Sequence, residues 1–594
     1  MKKLLSLAAI ALCAAVAVAF VPASAAPAAV YEKECGIALP PVIAADYAEG
    51  VADTAEPPAD VFLYPDAQLN LPGGVSLSAA LEELSGKAVP VLYVSEQAAA
   101  DAVAAYVAQE KLTDCILASD SAELVASMRE SCTQVQGLLD FRGKEAEPFS
   151  MRDLANASDA KIVLLGEEQV NGEDVRWLQE RLMTVWAAAD TDEAFYAAAV
   201  AGCNGILVQD AQQAYDLLSL FDEGTLLHFP MVVGHRGIYS EKQNTLAAAR
   251  LAYEAGADAV ECDIYLTADG EIVINHDIML DNTTTGTGNI EEMTLEEVLQ
   301  YEVDMGGGGQ NRPIATLREF FEEFKDTDLV HFVEIKSSRP EIVPALKALI
   351  EECGVSDQVV VISFLSDQLA RVHEQIPALS VGYLFNSAEG TDAAEANSQI
   401  APYNATYNPG YQFVTLDQVR QMAARGITVW PWTYPNTQDF DKAYMNGING
   451  ITTDYADRSS DYAVRLEAED ILLPRTDAEA VDITAWLVTQ SGSRTQVSCE
   501  YVTVSGTMTI LQNAEGKYYA GRGEAVVMLK YTFTGEEGLS YTLYSEPVAV
   551  SVAAQQQDPA PAGGCSASAL PSAAAAGVVL TAAALLLLRR RTVR

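Results

Sequence analysis

The chain has 594 residues, of which 49% are hydrophobic, and this composition excludes a chain that is disordered throughout. Lys and Arg number 36 against 83 Asp and Glu, so the formal net charge is −47. A field of that sign repels polyanions and argues against binding to nucleic acid or to an anionic membrane surface.

The N-terminal residues have the pattern of an export signal. Two lysines precede an apolar run over residues 4–21, and the small residues Ala23-Ser24-Ala25 follow it. We predict a signal peptide over residues 1–25 and therefore an exported protein. Residues 26–60 are rich in Ala, Pro and acidic side chains, and we expect an extended leader there.

Two long stretches share one kind of alternation. Over residues 61–220, short β-rich runs alternate with helical runs, which predicts a parallel α/β sheet or barrel. The same alternation resumes over residues 231–460. We infer that a whole domain is repeated and that the first copy is shorter. The segments with similar sequences are 135–141 with 380–385 and 181–210 with 425–454.

The pattern changes twice after the second stretch. Residues 464–552 contain alternating β-rich runs separated by turns, which predicts a small Ig-like β-sandwich without site chemistry. Residues 553–566 have the composition of a linker. Residues 567–594 hold an apolar stretch followed by three arginines and resemble a bacterial C-terminal sorting tail. We predict that this tail anchors the protein at the membrane or is processed during surface attachment.

Paired acids stand out in the second stretch. Glu261 and Asp263 are two residues apart in "AVECDIYLT", so strand alternation directs both carboxylates to one face. The apolar neighbours indicate that this strand is buried. Two buried carboxylates repel each other unless a cation lies between them, and an all-oxygen site favours Ca²⁺ or Mg²⁺.

Histidines and other charged side chains follow other predicted strands of this stretch. His235 and Arg236 follow one strand, and His276 follows the next apolar strand and precedes a polar loop. Glu334 and Lys336 again stand two apart. All of these residues end strands, and in a (β/α)₈ barrel of about 250 residues the active site lies at that rim. We therefore predict a (β/α)₈ TIM barrel over residues 231–460.

The set resembles the glycerophosphodiester phosphodiesterase family, a family of TIM barrels similar to phospholipase C. The resemblance extends over the whole predicted barrel. The residues that carry it are His235-Arg236-Gly237, Asn244-Thr245, Glu261-x-Asp263, His276-Asp277, the "LDNTTTGTG" loop, Glu334-Ile335-Lys336, Trp432-Thr433 and "GITTD" at 450–454.

The resemblance implies an activity and a role for each residue. It implies hydrolysis of small or polymeric glycerophosphodiesters to glycerol 3-phosphate and an alcohol, a reaction of lipid metabolism, which we expect at the cell surface. A divalent metal, Ca²⁺ or Mg²⁺, would be required. The implied roles are an acid/base pair of His235 and His276, substrate or phosphate binding by Arg236, Lys336 and Trp432, and metal ligation by Glu261, Asp263 and Glu334.

One residue departs from the family pattern. The family usually has a glutamate immediately before the Asn-Thr pair, whereas this chain has Gln243. An amide still hydrogen-bonds, but one negative charge beside the predicted site is lost. We expect this change to affect metal affinity or the polarity of the pocket.

The first copy lacks the catalytic residue types. Residues 61–220 contain no histidine and no pair equivalent to Glu334 and Lys336. We therefore predict a degenerate barrel-like domain, with docking, substrate capture and spacing as open roles. Two alternatives for the whole protein are a phospholipase D-type lipase on the same scaffold and a non-catalytic surface adhesin or wall-binding protein. The remaining histidines, expected to be structural or at the surface, are His228, His331 and His373.

Overall fold

Eight short buried strands, all but the first followed by an α-helix, build a closed parallel barrel in the first half of the chain. The structure is a computed structural model that describes residues 30–386 and 392–552. The barrel strands, in order around the ring, are β1 (Val42–Asp46), β2 (Asp60–Leu63), β3 (Val89–Tyr93), β4 (Ile116–Ser119), β5 (Gln136–Asp140), β6 (Ile162–Leu165), β7 (Thr184–Ala189) and β8 (Gly205–Val208). Its helices are α1 (Leu77–Leu84), α2 (Gln97–Glu110), α3 (Ala122–Ser131), α4 (Pro148–Ala157), α5 (Gly172–Glu180), α6 (Asp192–Val200) and α7 (Ala211–Leu218).

The start of this barrel corrects the sequence prediction. Residues 26–60 were expected to form an extended leader, and the domain was expected to begin at residue 61. Instead, β1 pairs with both β2 and β8 and closes the ring. Its sequence, Val-Ile-Ala-Ala-Asp, has two alanines and is too short to show a period, so composition alone grouped it with the leader. The first copy is therefore a complete eight-stranded barrel.

The second barrel also has eight strand positions around its ring. Seven are regular strands, and one is an irregular segment. The regular strands on the ring are β9 (Met231–Gly234), β10 (Ala259–Leu266), β14 (Val330–Ile335), β15 (Val359–Ser363), β16 (Ser380–Phe385), β17 (Ala405–Pro409) and β18 (Gly450–Thr453). Residues 429–434 take the seventh position through isolated bridges from Val429 to Tyr407, from Trp432 to Gly410 and from Tyr434 to Thr453. The predicted TIM barrel is confirmed.

Helices and a long loop surround this ring. The loop that follows β10 carries β11 (Ile272–Ile274), which pairs with β10, and a small hairpin of β12 (Glu302–Val303) and β13 (Arg312–Pro313). The helices of this part are α8 (Leu246–Glu254), α9 (Leu295–Val298), α10 (Leu317–Phe324), α11 (Ile342–Cys353), α12 (Ser366–Gln375), α13 (Ala393–Ile400), α14 (Leu416–Ala423) and α15 (Thr437–Met445).

A β-rich module follows, as the alternating pattern from residue 464 predicts. It contains a three-stranded sheet, a five-stranded sheet and a two-stranded ribbon. Tyr541 of this module packs against the second barrel, since its ring lies 6.2 Å from that of Tyr444 on α15, while its hydroxyl donates to the Ala463 carbonyl within the module. The strands are β19 (Ala463–Glu467), β20 (Ile471–Leu473), β21 (Thr484–Thr489), β22 (Arg494–Ser498), β23 (Glu500–Gly506), β24 (Ile510–Gln512), β25 (Tyr518–Ala520), β26 (Ala525–Thr534), β27 (Ser540–Tyr544) and β28 (Val548–Val552).

The predicted signal peptide, linker and C-terminal tail, at 1–25, 553–566 and 567–594, lie outside the described residues. Within residues 30–386 and 392–552, none of the helices combines the length and the apolar character that crossing a membrane requires.

The two barrels meet through the faces at which their strands begin. Gln136, Thr184 and Ser380 are the first residues of β5, β7 and β16, and all three lie in the interface. Because the strand starts face each other, both carboxyl-terminal rims lie on the sides away from the interface. The contacts include the ion pair of Arg425 with Asp114 at 2.6 Å and hydrogen bonds of Gln136 with Asn397 at 2.9 Å, Asn156 with Ser380 at 2.9 Å, and Thr184 with the Gly426 carbonyl at 2.7 Å.

A buried carboxyl group lies close to this interface. Asp60 begins β2, has no solvent exposure, and neither of its carboxyl oxygens has a hydrogen-bond partner among the described residues. Burial raises the pKa of Asp60 well above its ordinary value, although the nearby Arg425 opposes the shift. Burial therefore favours the protonated form of Asp60 in the folded protein.

We expect Asp60→Asn to stabilise the protein at neutral pH. A raised folded-state pKa means that stability is lost as the pH rises above the unfolded value of about 3.9. Asn needs no proton, so the variant should have a higher melting temperature than wild type near neutral pH. The difference should shrink as the pH approaches about 4. Thermal unfolding across this range checks it, with Asp417→Asn as the control because the Asp417 side chain is 89% exposed. A variant less stable than wild type at every pH would contradict the assignment.

Candidate active site at the rim of the second barrel

Three carboxylates meet where β10 and β14 lie side by side. Strand alternation puts Glu261 and Asp263 on the same face of β10, and the register pairs Asp263 with Glu334 of β14. One oxygen from each carboxylate lies within 4.8 Å of the others, and all three residues are buried. The structure thus brings together the three residues that were predicted as metal ligands.

The chemistry of this cluster fits a divalent cation. Glu261 Oε1 is buried and accepts no hydrogen bond from the described residues, while Asp263 Oδ1 is approached only by Lys336 Nζ, at 3.3 Å. Buried oxygens without a partner are rare in proteins because desolvation is costly, so their presence points to a ligand. Mg²⁺ and Ca²⁺ prefer carboxylate oxygens of this kind.

Mutual repulsion perturbs the protonation of the three acids. Burial, with repulsion from Asp263 and Glu334, raises the pKa of Glu261 well above its ordinary value. Burial, with repulsion from Asp263, raises the pKa of Glu334 to about 8. Burial also opposes the ionisation of Asp263, but the positive charges of Arg236 and Lys336 prevail and lower its pKa to about 2. Asp263 is therefore the anionic centre of the cluster.

Two cations flank the acids, as predicted. Arg236 Nε lies 3.0 Å from Asp263 Oδ2, and the Arg236 backbone N–H donates to Glu261 Oε2 at 3.0 Å. Lys336 Nζ lies 3.3 Å from Asp263 Oδ1 and 3.2 Å from Glu334 Oε1. These side chains supply the local positive charge that a phosphate group would need in a chain of net charge −47.

The turn after β9 places Arg236. Its φ is +55°, in the left-handed region that non-glycine residues rarely adopt. Gly237 follows with a φ of +97°, and a Cβ there would lie 2.6 Å from the Ala248 side chain on α8. A glycine is required at that position because the turn packs directly on the helix.

Each predicted catalytic histidine has an aspartate partner. His235 Nδ1 lies 2.7 Å from Asp454 Oδ1, and His276 Nδ1 lies 2.7 Å from Asp277 Oδ1. Burial lowers the pKa of both histidines, against the opposing effect of nearby carboxylates. Burial thus favours the neutral form of each ring and the carboxylates favour the charged form, a balance that suits a group that must accept or donate a proton.

Sequence reasoning assigned no role to two supporting residues. Asn244 Nδ2 donates to Asp263 Oδ2 at 2.7 Å, and its own φ is +58°. Asp454 orients His235 across a separation of 219 residues. Both residues belong to the quoted motifs, Asn-Thr and "GITTD", and that membership was the available signal: Asn244 shortly precedes α8, and Asp454 follows β18.

Trp432 and Gln243 lie on segments that border the rim. The Trp432 indole N–H donates to the Asn408 carbonyl at 2.9 Å, and its ring meets Phe364 edge-on at 5.3 Å. Gln243 Oε1 accepts from Arg236 Nη1 at 3.4 Å. The amide that replaces the family's glutamate therefore faces a cation without neutralising it.

The fold and the site define this part of the chain as a TIM-barrel enzyme of the phosphoric diester hydrolase class. Residues 235–458 match the model of the glycerophosphoryl diester phosphodiesterase family. A glycerophosphodiester phosphodiesterase from Caldanaerobacter subterraneus subsp. tengcongensis is 31% identical over 38% of this chain and 93% of that protein. The chain belongs to this family.

Other comparisons cover the same barrel. A glycerophosphodiester phosphodiesterase from Bacillus subtilis is 26% identical over 38% of this chain and 84% of that protein. A crystal structure from Silicibacter pomeroyi, of a protein described as a glycerophosphoryl diester phosphodiesterase, has a TM-score of 0.37 and 24% identity, covering 40% of this chain and 93% of that one. A phosphodiesterase from Oleispira antarctica in complex with the product sn-glycerol-3-phosphate has a TM-score of 0.35 and 25% identity, covering 39% and 95%.

We expect Glu334→Gln to weaken metal binding while leaving the fold intact. The change removes one charged ligand and also one source of repulsion, so the metal-free variant should melt no lower than wild type. Calorimetric titration with Mg²⁺ or Ca²⁺ should show a dissociation constant raised at least ~10-fold, and added metal should no longer raise the melting temperature. Glu341→Gln is the control, because that side chain is 63% exposed. Unchanged affinity in Glu334→Gln would rule out this ligand.

Proposed function

We propose that the second barrel hydrolyses glycerophosphodiesters to glycerol 3-phosphate and an alcohol in a metal-dependent reaction. The observation that carries this proposal is the cluster of three buried carboxylates flanked by two cations and two aspartate-linked histidines. Glu261, Asp263 and Glu334 would hold the metal ion, which acts as a Lewis acid on a phosphate oxygen when bound.

Arg236 and Lys336 bind the phosphate in this proposal. A phosphodiester is anionic and resists nucleophiles, so its charge must be neutralised before attack. Both side chains already lie beside Asp263, which keeps them ordered in a partly buried site. Their charges attract a phosphate more strongly there than at the surface, because less water screens the interaction.

The two histidines move protons at opposite ends of the reaction. One accepts a proton from the attacking hydroxyl, either water or the glycerol 2-hydroxyl. The other donates a proton to the alcohol oxygen as its bond to phosphorus breaks. Asp454 and Asp277 engage Nδ1 of each ring, which directs Nε2 of His235 and His276 toward these steps.

The substrate class and the location are also proposals. The polar "LDNTTTGTG" loop and the export and anchor signals favour small or polymeric glycerophosphodiesters at the cell surface over intact choline lipids. Assays with glycerophosphocholine and lysophosphatidylcholine separate this reading from a phospholipase D-type lipase. A purely adhesive protein would have no use for the assembled site, and the absence of metal-dependent hydrolysis of any diester would favour it.

We expect His235→Ala and His276→Ala each to reduce turnover by at least ~10²-fold, the usual scale for loss of an acid or base. Release of glycerol 3-phosphate from glycerophosphocholine is the measurement. A chelator should abolish the wild-type activity. His373→Ala is the matched control, because His373 lies outside the motif and pairs with Asp159 at 3.1 Å. Near-wild-type turnover in either site variant would refute the assignment.

We expect Asp454→Asn to lower kcat by ~10-fold or more with little change in KM. The amide preserves shape but no longer stabilises a protonated His235 or selects its tautomer. Steady-state kinetics across pH measure the effect. Asp457→Asn, three residues further along and exposed, should behave as wild type. A rise in KM alone would show instead that Asp454 contributes to substrate binding.

A further inference from the structure

The strand registers of the two barrels align residue by residue. Gly205 and Gly450 stand at the same place on the last strands, and each lies against a tryptophan, Trp186 or Trp430. Following the register around the ring from these glycines gives the counterparts of the three acids in the first barrel. Phe62 stands in the place of Glu261, Tyr64 in that of Asp263 and Tyr93 in that of Glu334.

An aromatic cluster therefore replaces the metal ligands at the rim of the first barrel. The ring centroids of Tyr64 and Tyr93 are 5.4 Å apart, and that of Phe62 lies 6.5 Å from each. Tyr93 is 8% exposed, while Tyr64 is only half-buried, so the cluster presents part of an aromatic surface to solvent. Aromatic surface of this kind binds the apolar face of a ligand.

Charged groups hold both tyrosine rings in place. The Tyr64 hydroxyl donates to Asp46 Oδ1 at 2.6 Å, and the Tyr93 hydroxyl donates to Asp140 Oδ2 at 2.9 Å. By the same register, Asp46 stands where His235 stands in the second barrel. Because the rings are fixed before any ligand arrives, little entropy is lost on binding.

Arg142 adds hydrogen-bond donors to this rim. Its Nε and Nη2 bind Asp140 at distances from 2.8 to 3.1 Å, and its side chain is 35% exposed. The pair is thus neutral overall yet offers both donors and acceptors to a neighbouring molecule.

Small residues lie on the other side of the ring. By the strand register, Ala188 of β7 is the counterpart of Trp432. The first barrel therefore has a methyl group at the position where the second barrel has an indole. Gly166, just after β6, has no side chain, and the Glu168 carboxylate lies against it. Ala188 is half-buried, which leaves it accessible from the rim. Trp432 therefore has no aromatic counterpart on the rim of the first barrel.

We propose that this rim, formed by Asp46, Tyr64, Tyr93, Asp140 and Arg142, is a binding site for a neutral glycan. The C–H face of a sugar ring packs on Tyr64, which the buried Tyr93 supports, and the sugar hydroxyls bond with Asp46 and Arg142. A phosphate group is disfavoured because Arg142 is already paired with Asp140 and Asp46 adds a second carboxyl group to the rim. A quaternary ammonium is disfavoured because the two rings touch each other and enclose no cage. The site is independent of the proposed phosphodiesterase activity.

Binding of small neutral glycans to the full chain tests the proposal. Calorimetric titration uses chitotriose, cellotriose and maltotriose, with choline and glycerol 3-phosphate as charged probes. At least one glycan should bind, and Tyr64→Ala and Arg142→Ala should each weaken its binding at least ~10-fold. Tyr64→Phe keeps the ring and should retain most of the affinity.

Controls separate this site from the second barrel and from misfolding. His235→Ala should bind the glycan as wild type does, because His235 lies on the rim of the other barrel. Unchanged thermal unfolding of Tyr64→Phe and Arg142→Ala shows that the fold is intact. The proposal is overturned if no glycan binds at about 10 mM. It is equally overturned if Tyr64→Ala and Arg142→Ala leave the affinity unchanged, or if only choline or glycerol 3-phosphate binds at this rim.

Discussion

Three carboxylates buried within 4.8 Å of one another are the constraint on which the second barrel's rim depends. Acids at this distance cannot all be ionised without compensation, because burial and mutual repulsion both oppose the charge. The surrounding residues follow from this requirement. Arg236 takes a left-handed backbone conformation to reach Asp263, Lys336 spans two of the acids, and Asn244 donates a hydrogen bond to the anionic one. The same requirement makes the cluster suited to a divalent cation.

The first barrel has the same scaffold without the cluster of buried carboxylates. Aromatic side chains occupy the three acid positions, and the charges that compensated the acids are gone. The core contact between a tryptophan and a glycine is nevertheless retained as Trp186 with Gly205 and as Trp430 with Gly450. Packing inside a barrel and chemistry at its rim are therefore separable, as they are in TIM barrels generally.

The interface between the barrels leaves the carboxyl-terminal rim of each barrel uncovered by the other. The barrels meet where their strands begin, through the Arg425 and Asp114 pair and a set of buried hydrogen bonds. Neither carboxyl-terminal rim is covered by the other barrel. Each rim can therefore change its chemistry without disturbing the contact that holds the domains together.

The sequence by itself determined the second barrel and most of its site. Glu261, Asp263, Glu334 and Lys336 could be placed on one face because side chains alternate strictly along a strand. The histidines could be placed because each follows an apolar run. The repeat of the barrel domain could also be recognised, since equivalent segments of the two copies have similar sequences.

Tertiary structure decided what depends on contacts between distant residues. The pairing of His235 with Asp454 spans 219 residues, and no local period encodes it. The strand Val42–Asp46 is too short and too rich in alanine to be recognised alone, and only pairing with β2 and β8 defines it. The seventh position of the second ring is held by isolated bridges rather than a regular strand. The replacement of the metal ligands by Phe62, Tyr64 and Tyr93 became apparent only from the registers, because a strand's neighbours are a property of the folded barrel.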